Sequence, residues 1–224
     1  MNRRILLVDD HPIMRHGLAQ LIRAEGDLEV CGGAGSAAEG LEAVEKKQPD
    51  LAIVDLTLPD KHGLEFIKDM QAMYPQVLLL VLSMHDERLY AERALRAGAR
   101  GYVMKETAAD TLVHAVRRVL NGGIYLSDRM SGHMLELVTG QRRQTDKDPL
   151  ERLTDRELEV LHLIGQGKAT RMIAAQLNVS ARTVDAHRAH IKEKLQLADG
   201  PSLVRFAVRW VEQRHQSEKD YAVP

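Results

Sequence analysis

Short apolar runs alternate with stretches of helical periodicity over the first half of the chain. Each run is followed by a segment whose apolar residues recur about every 3.6 positions. The last of these segments is the clearest, because Leu112, Val116 and Val119 fall on one helical face. This alternation predicts βα units around a parallel sheet. The apolar runs are residues 5–8, 28–31, 51–54, 77–82 and 101–104.

The pattern changes after Asn121-Gly122-Gly123, which ends the last of these helices. Ser127 is placed to cap a short helix, and a polar, charged stretch follows. Beyond it only helical patterns remain. The sequence therefore predicts an α/β domain over 1–121, a linker with a helix over 122–150, an all-helical domain over 151–213 and a tail over 214–224.

The helical domain begins with a capping box, in which Thr154 is the N-cap and Glu157 follows three residues later. Helices are predicted over 154–166, 170–177, 180–195 and 200–213. The second and third are separated only by Asn178-Val179, with Ser180 as the next N-cap. This spacing is typical of a helix-turn-helix.

Composition limits the classes of protein to consider. The 224 residues suffice for two domains, and 44% hydrophobic with 28% charged residues is typical of a folded, water-soluble chain. A net charge of -1 means that any surface for nucleic acid must come from uneven charge distribution. The single Cys31 fits a reducing compartment, and no apolar run is long enough for a membrane span. We expect a cytoplasmic protein without a membrane partner.

Side chains that can carry chemistry follow the predicted strands. Asp9 and Asp10 follow the first strand, Asp55 the third, Ser83 the fourth and Lys105 the fifth. The carboxyl ends of parallel strands form the ligand crevice of an open sheet, so we expect these side chains to meet. The nearby His11, His62 and His85 lack metal-ligand spacing and are expected to be exposed loop residues.

Clustered carboxylates repel one another, and a hard divalent cation such as Mg²⁺ relieves that repulsion. A carboxylate nucleophile can form an aspartyl-phosphate, and we expect Asp55 to be that nucleophile. Lys105 would balance the charge of the phosphoryl group, and the Ser83 hydroxyl would turn inward to donate to one of its oxygens.

The motifs V-D-D-H-P, V-D-L-T-L-P-D-K-H-G, L-S-M-H-D, A-G-A-R-G-Y and V-M-K together resemble the receiver domain of response regulators over residues 3–120. The resemblance implies a flavodoxin-like (CheY-like), doubly wound, five-stranded parallel sheet. It also implies that Asp10, Asp55 and the backbone carbonyl of Thr57 bind the metal, with Asp9 in the outer shell. Tyr102 would follow Ser83 inward, and the phosphoryl donor would be a sensor histidine kinase.

The third helix of the second domain carries basic residues and is sized for a major groove. Val184, Ile191 and Leu195 are expected to face inward, leaving the opposite face available to DNA. Lysine and arginine there would neutralise phosphates. The candidate DNA contacts are Arg171, Arg182, Thr183, Asp185, Ala186, Arg188, Ala189, Lys192 and Lys194.

The block L-T-x-R-E-x-E-V-L, G-x-G-K and I-A-x-x-L-x-V-S-x-R-T-V-x-x-H-R-x-x-I-x-x-K-L resembles the LuxR-type domain of NarL/FixJ response regulators over residues 150–213. The resemblance implies a DNA-binding transcriptional regulator that is not an enzyme, forms a homodimer when phosphorylated and has RNA polymerase as a further partner. It assigns the dimer contact to the last helix, although the same stripe also fits a core. That stripe consists of Leu203, Val204, Ala207 and Val208.

Two other functions also fit these residues. Asp55 fits a phosphohydrolase that uses it as a turnover nucleophile and releases phosphate continuously. The chain also fits a DNA-binding protein whose receiver responds to a protein or ligand without phosphorylation. A helix-turn-helix can, moreover, serve protein contacts alone.

Overall fold

The computed structural model describes residues 2–107, 109–138 and 149–219. The chain divides into two compact units, with the division between residues 143 and 144. Each unit is described by itself below.

Within the described residues of the first unit, five parallel strands form one sheet in the order β2-β1-β3-β4-β5, which confirms the predicted fold. β1 begins before its apolar run because Arg3 and Arg4 pair through their backbones with Leu28 and Glu29. β2 continues past its run because residues 32–34 pair with residues 6–8 of β1. Backbone pairing does not require an apolar side chain. The strands are β1 (Arg3–Val8), β2 (Leu28–Ala34), β3 (Leu51–Val54), β4 (Leu78–Ser83) and β5 (Gly101–Met104).

Helices follow each strand and cover both faces of the sheet. The chain turns from β1 outward to β2 and then returns to β3 on the other side, so the switch point of the sheet lies between β1 and β3. The carboxyl ends of these two strands therefore border one crevice. The helices are α1 (Pro12–Arg23), α2 (Ala37–Lys47), α3 (Gly63–Met73), α4 (Glu87–Ala97) and α5 (Ala109–Leu120).

The segment after α5 is attached to the first unit. Tyr125 forms a parallel bridge with Gly101: its carbonyl accepts from the Tyr102 N–H, and its own N–H donates to the Arg100 carbonyl, each at 3.0 Å. Ser127 then caps α6 (Asp128–Val138), accepting from the Met130 N–H at 3.1 Å. The predicted helix is present, and it packs against α4. Residues 139–148 of the predicted linker lie outside the described residues.

The second unit is helical in its described part. A 3-10 turn (Pro149–Arg152) precedes α7 (Asp155–Gly165), α8 (Thr170–Gln176), α9 (Ala181–Lys194) and α10 (Gly200–Lys219). The capping box predicted at Thr154 and Glu157 is present. Asn178 adopts a positive φ of 50° in the tight turn between α8 and α9. α10 continues past the predicted end at 213, because polar sequence does not by itself end a helix.

Among the described helices, we find none with the length and apolar character needed to cross a membrane.

Candidate functional site

The acidic residues after β1 and β3 meet at the switch point, as predicted. One possible ligand atom from each of Asp9, Asp10, His11 and Asp55 lies within 4.8 Å of the others. Nδ1 of His11 is 2.7 Å from Oδ1 of Asp10 and 3.3 Å from Oδ1 of Asp9. Sequence spacing had not placed His11 in this cluster, because its contribution arises from the turn that the chain makes as it leaves β1.

Lys105 places its ammonium group between two of the pocket carboxylates. Its Nζ lies 2.7 Å from Oδ2 of Asp9 and 2.7 Å from Oδ2 of Asp55, and its side chain is only 4% exposed. The backbone N–H of Lys105 donates to the carbonyl of Ser83, which fixes the end of β5 against the end of β4. The structure therefore brings Lys105 to both carboxylates that the sequence placed at separate strand ends.

Burial controls the protonation of this pocket. Burial raises the pKa of Asp55 above its ordinary value, although Lys105 acts in the opposite direction. Burial acts to lower the pKa of Lys105, but the neighbouring carboxylates of Asp55 and Asp9 outweigh it and raise that pKa. The positive charge of Lys105 does not balance the negative charges of three carboxylates, so the pocket favours the binding of a further cation.

The donor set fits a hard divalent cation. Oδ1 of Asp55 is buried and receives no well-formed hydrogen bond within the described residues. Carboxylate oxygens at short range, with one oxygen lacking a donor, are the ligands that Mg²⁺ takes in proteins. The first unit thus has an acidic pocket formed by Asp9, Asp10 and Asp55 that is typical of a magnesium site.

Ser83 and Tyr102 lie beside the pocket on β4 and β5, and both are buried. The Tyr102 hydroxyl donates to the backbone carbonyl of His85 at 2.7 Å, and the Ser83 hydroxyl accepts from the His85 N–H at 3.3 Å. Burial raises the pKa of Tyr102 well above its ordinary value, so the phenol stays protonated. The two predicted switch residues are therefore joined through the backbone of one residue.

The prediction that the three pocket histidines are exposed loop residues holds for one of them. His11 is exposed, with 66% of its side chain accessible. His62, however, is buried, and its Nδ1 accepts from the Leu64 N–H at 3.2 Å as the cap of α3. His85 is partly buried, with Nε2 3.2 Å from Oγ1 of Thr57. A histidine cap and a contact between two loops leave no periodic signal in the sequence.

The third helix of the second unit, α9, presents the predicted face. Arg182, Asp185, Ala186 and Ala189 are exposed along one side of α9, and the partly buried Lys192 continues that row. Val184 and Ile191 are buried on the opposite side. We call the row from Arg182 to Lys192 the α9 face.

Other candidate DNA contacts lie elsewhere. Arg171 is exposed on α8, and Arg188 is partly buried away from the centre of the α9 face. The Thr183 hydroxyl is 2.7 Å from that of Ser180. Lys194 points to the buried Glu157, with Nζ 2.6 Å from its Oε2. Lys194 thus already has a protein partner.

The apolar stripe of α10 divides between core and surface. Leu203 and Ala207 are fully buried within the second unit, whereas Val204 is 38% exposed and Val208 is partly buried. The alternative that the stripe is core is therefore correct for Leu203 and Ala207, because α10 packs against α7.

Comparison with known proteins agrees with this arrangement. The model of the response regulator receiver domain matches residues 5–117, and the model of the luxR family of bacterial regulatory proteins matches residues 151–207. The first match contains the acidic pocket, and the second contains the helix-turn-helix. The fold and the site thus define a receiver joined to a LuxR-type DNA-binding domain.

Two bacterial regulatory proteins are similar to this chain along nearly its whole length. The oxygen regulatory protein NreC of Staphylococcus carnosus (strain TM300) is 36% identical over 210 residues, covering 92% of this chain and 97% of NreC. The transcriptional regulatory protein DegU of Brevibacillus brevis is 33% identical over 226 residues, covering 94% of this chain and 96% of DegU.

Solved structures show the same similarity. A LuxR-family two-component response regulator from Aurantimonas sp. SI85-9A1 is 32% identical with a TM-score of 0.58, covering 62% of this chain and 99% of that protein. The RcsB response regulator of Salmonella typhimurium, studied for its conformational dynamism in DNA interaction, is 25% identical with a TM-score of 0.57, covering 92% of this chain and 98% of RcsB.

The chain belongs to the two-component response regulators that carry a LuxR-type DNA-binding domain. It is a DNA-binding transcriptional regulator, and its family consists of transcription factors, not catalytic enzymes.

Proposed function

We propose that Mg²⁺-dependent phosphorylation of Asp55 controls how strongly this regulator binds DNA. The observation that carries the proposal is the convergence of Asp9, Asp10, Asp55 and Lys105 in one buried pocket, within a chain that also has an exposed helix-turn-helix face. The donor is a sensor histidine kinase, the partner of this family's receivers. The phosphohydrolase alternative is excluded by membership of a transcription-factor family.

Each pocket residue has a separate role in the phosphorylation. Asp10, Asp55 and the carbonyl of Thr57 would hold Mg²⁺, with Asp9 in its outer shell. When bound, the metal supplies charge neutralisation for the phosphoryl oxygens. A carboxylate oxygen of Asp55 forms a bond to phosphorus while the bond between phosphorus and the donor breaks. Lys105 lies 2.7 Å from that carboxylate and balances the charge that arrives.

The switch uses the residues beside the pocket. The Ser83 hydroxyl donates to a phosphoryl oxygen in the phosphorylated state, and its link to Tyr102 through the backbone of His85 couples the two side chains. A phosphoryl group can change the conformation only by binding one state better than the other. The new hydrogen bond from Ser83 provides that difference.

DNA binding depends on the α9 face, on Arg171 and on Arg188, with Thr183 at the start of α9 and Lys194 at its end. Lysine and arginine there neutralise phosphates, while side chains in the first half of α9 contact base edges. The pairing of Lys194 with Glu157 makes it the weakest candidate of the set.

The remaining assignments complete the proposal. The regulator acts in the cytoplasm as a homodimer when phosphorylated, with RNA polymerase as a further partner, and Val204 and Val208 are the stripe residues left for the dimer contact. The receiver spans 1–121, the linker 122–150, the DNA-binding domain 151–213 and the tail 214–224. The family matches over 5–117 and 151–207 support the two domain assignments.

Labelling with acetyl phosphate and Mg²⁺ tests the phosphorylation step. The wild-type chain should take up one phosphoryl group, and Asp55→Asn should take up none. Asp69→Asn is the matched control, because Asp69 is half-exposed and pairs with Lys61 on the surface. Labelling that persists in Asp55→Asn would contradict the proposal, and an unlabelled wild type would favour regulation without phosphorylation.

Titration with duplex DNA tests the binding face. The operator is first obtained by genomic footprinting with the phosphorylated chain. Arg182→Ala should then weaken binding and reduce the salt dependence by about one phosphate contact, whereas Arg209→Ala on the exposed side of α10 should change neither. Phosphorylation should tighten binding of the wild type. Equal affinities for DNA before and after labelling would show that phosphorylation of Asp55 does not control DNA binding.

A further inference from the structure

Arg15 on α1 reaches back to the strand end that carries two of the pocket carboxylates. Its Nη1 donates a short hydrogen bond to the backbone carbonyl of Asp9. The Arg15 side chain lies close to Gly33 and Gly35, because a Cβ added at either glycine would be 3.6 Å from the nearest Arg15 atom. The side chain is partly buried in this path.

The carbonyl that Arg15 binds belongs to the peptide joining Asp9 to Asp10. Peptide planarity means that fixing this carbonyl also fixes the N–H and Cα of Asp10. On the other side of Asp9, its N–H donates to the Ala34 carbonyl at 3.0 Å. Beyond Val8 the chain leaves the sheet, and within the described residues Arg15 is the donor to the Asp9 carbonyl. Arg15 therefore fixes the direction in which the chain leaves β1.

We propose that Arg15 is a positioning residue for the divalent cation, acting through the Asp9–Asp10 peptide that presents two of the three carboxylates. This inference rests on the proposed function and deepens it. Nothing in the sequence indicates this role, because an arginine in the first turns of an amphipathic helix fits a solvated charge equally well.

The direction of the change in cation affinity distinguishes a positioning role of Arg15 from an effect of its positive charge. Removing a positive side chain beside an acidic pocket should, by Coulomb's law alone, strengthen the binding of a cation. Losing the hydrogen bond to the Asp9 carbonyl should weaken it, because the carboxylates are no longer held in their binding geometry. Outer-shell partners of metal ligands typically contribute about 10- to 100-fold in affinity. If a variant that lacks the Arg15 charge binds the cation less tightly, Arg15 therefore acts by positioning the carboxylates.

The test measures Mn²⁺ binding to the full chain by electron paramagnetic resonance, with Mg²⁺ as competitor. Arg15→Met should raise the Kd for Mn²⁺ about 10-fold or more. Arg15→Lys, which keeps a donor on a differently shaped arm, should bind less tightly than the wild type and more tightly than Arg15→Met. Arg23→Met is the matched control, since Arg23 is exposed at the far end of α1. Its Kd should equal that of the wild type.

An unchanged or lower Kd in Arg15→Met would overturn the inference. If Arg15→Met does not fold, Arg15→Lys decides, and a wild-type Kd there would overturn it. A wild type that binds no Mn²⁺ would instead refute the proposed function. Labelling with acetyl phosphate gives a second readout: the Mg²⁺ concentration for half-maximal rate should rise in Arg15→Met, while the rate at saturating Mg²⁺ stays near that of the wild type.

Discussion

Gly63 packs directly against the end of β3 that carries Asp55, the proposed phosphoacceptor. A Cβ added at Gly63 would lie 2.4 Å from Cα of Leu56 and 2.5 Å from the backbone oxygen of Asp55. The Gly63 N–H also donates to the Leu56 carbonyl at 2.9 Å, so the first turn of α3 is held in place. The substitution Gly63→Ala therefore inserts a methyl group between two backbones that cannot rotate away.

The size of the effect follows from these distances. Ordinary van der Waals contact begins at 3.4 Å, so α3 and the strand end must separate by about 1 Å. Overpacking of this kind costs roughly 1–3 kcal/mol of the free energy of unfolding. A displacement of about 1 Å at a reacting group can lower a rate by about 100-fold. We therefore expect Gly63→Ala to fold with reduced stability and to accept phosphoryl groups much more slowly at Asp55.

Urea unfolding followed by far-ultraviolet circular dichroism, together with acetyl phosphate labelling, checks both expectations. Gly17→Ala is the control, because a Cβ at Gly17 meets nothing within 4 Å. In a helix, that change should stabilise the chain by about 0.5–1 kcal/mol. Gly63→Ala with wild-type stability and a wild-type labelling rate would refute the steric reasoning.

Three further predictions concern both units. Burial acts to raise the pKa of Glu157, but the hydrogen bond from Lys194 helps to hold it below the ordinary value. Glu157 thus adds stability above its unfolded pKa of about 4.3 that is lost as pH falls through the native value. Glu157→Gln should flatten the acid side of the unfolding profile followed by Trp210 fluorescence, and an equally steep profile would count against this ion pair. Ser180→Ala should cost about 1 kcal/mol in the same assay, because Ser180 caps α9, and a loss near zero would contradict that role. Mg²⁺ at 100 times its Kd should stabilise the wild type by roughly 2.7 kcal/mol, and an equal gain in Asp55→Asn would place the ion elsewhere.

Local patterns were sufficient for the regular elements. The apolar runs located the five strands of the described sheet, because the central strands β1, β3 and β4 are buried on both faces and must be apolar there. The capping box at Thr154 and Glu157 located the start of α7, because its hydrogen bonds join residues three positions apart. Features set by contacts within a few residues can be identified from one sequence.

Contacts between distant residues were not predictable in this way. His62 and His85 were expected to be exposed, yet one caps α3 and the other lies beside Thr57. The attachment of Tyr125 to the edge of β5 was also missed, since one bridge between residues 24 positions apart has no pattern in the sequence. The pairing of Lys194 with Glu157 likewise joins α9 to α7 across 37 positions.

The sequence by itself determined the order of the elements, the acids at the strand ends and the basic helix after a tight turn, because each depends on residue type at short spacing. Tertiary structure decided which of those side chains meet. It brought Lys105 between Asp9 and Asp55, led Arg15 back to the Asp9 carbonyl and divided the α10 stripe between core and surface. The physical reason is that these contacts depend on how elements pack, and packing is fixed only when all of them are folded together.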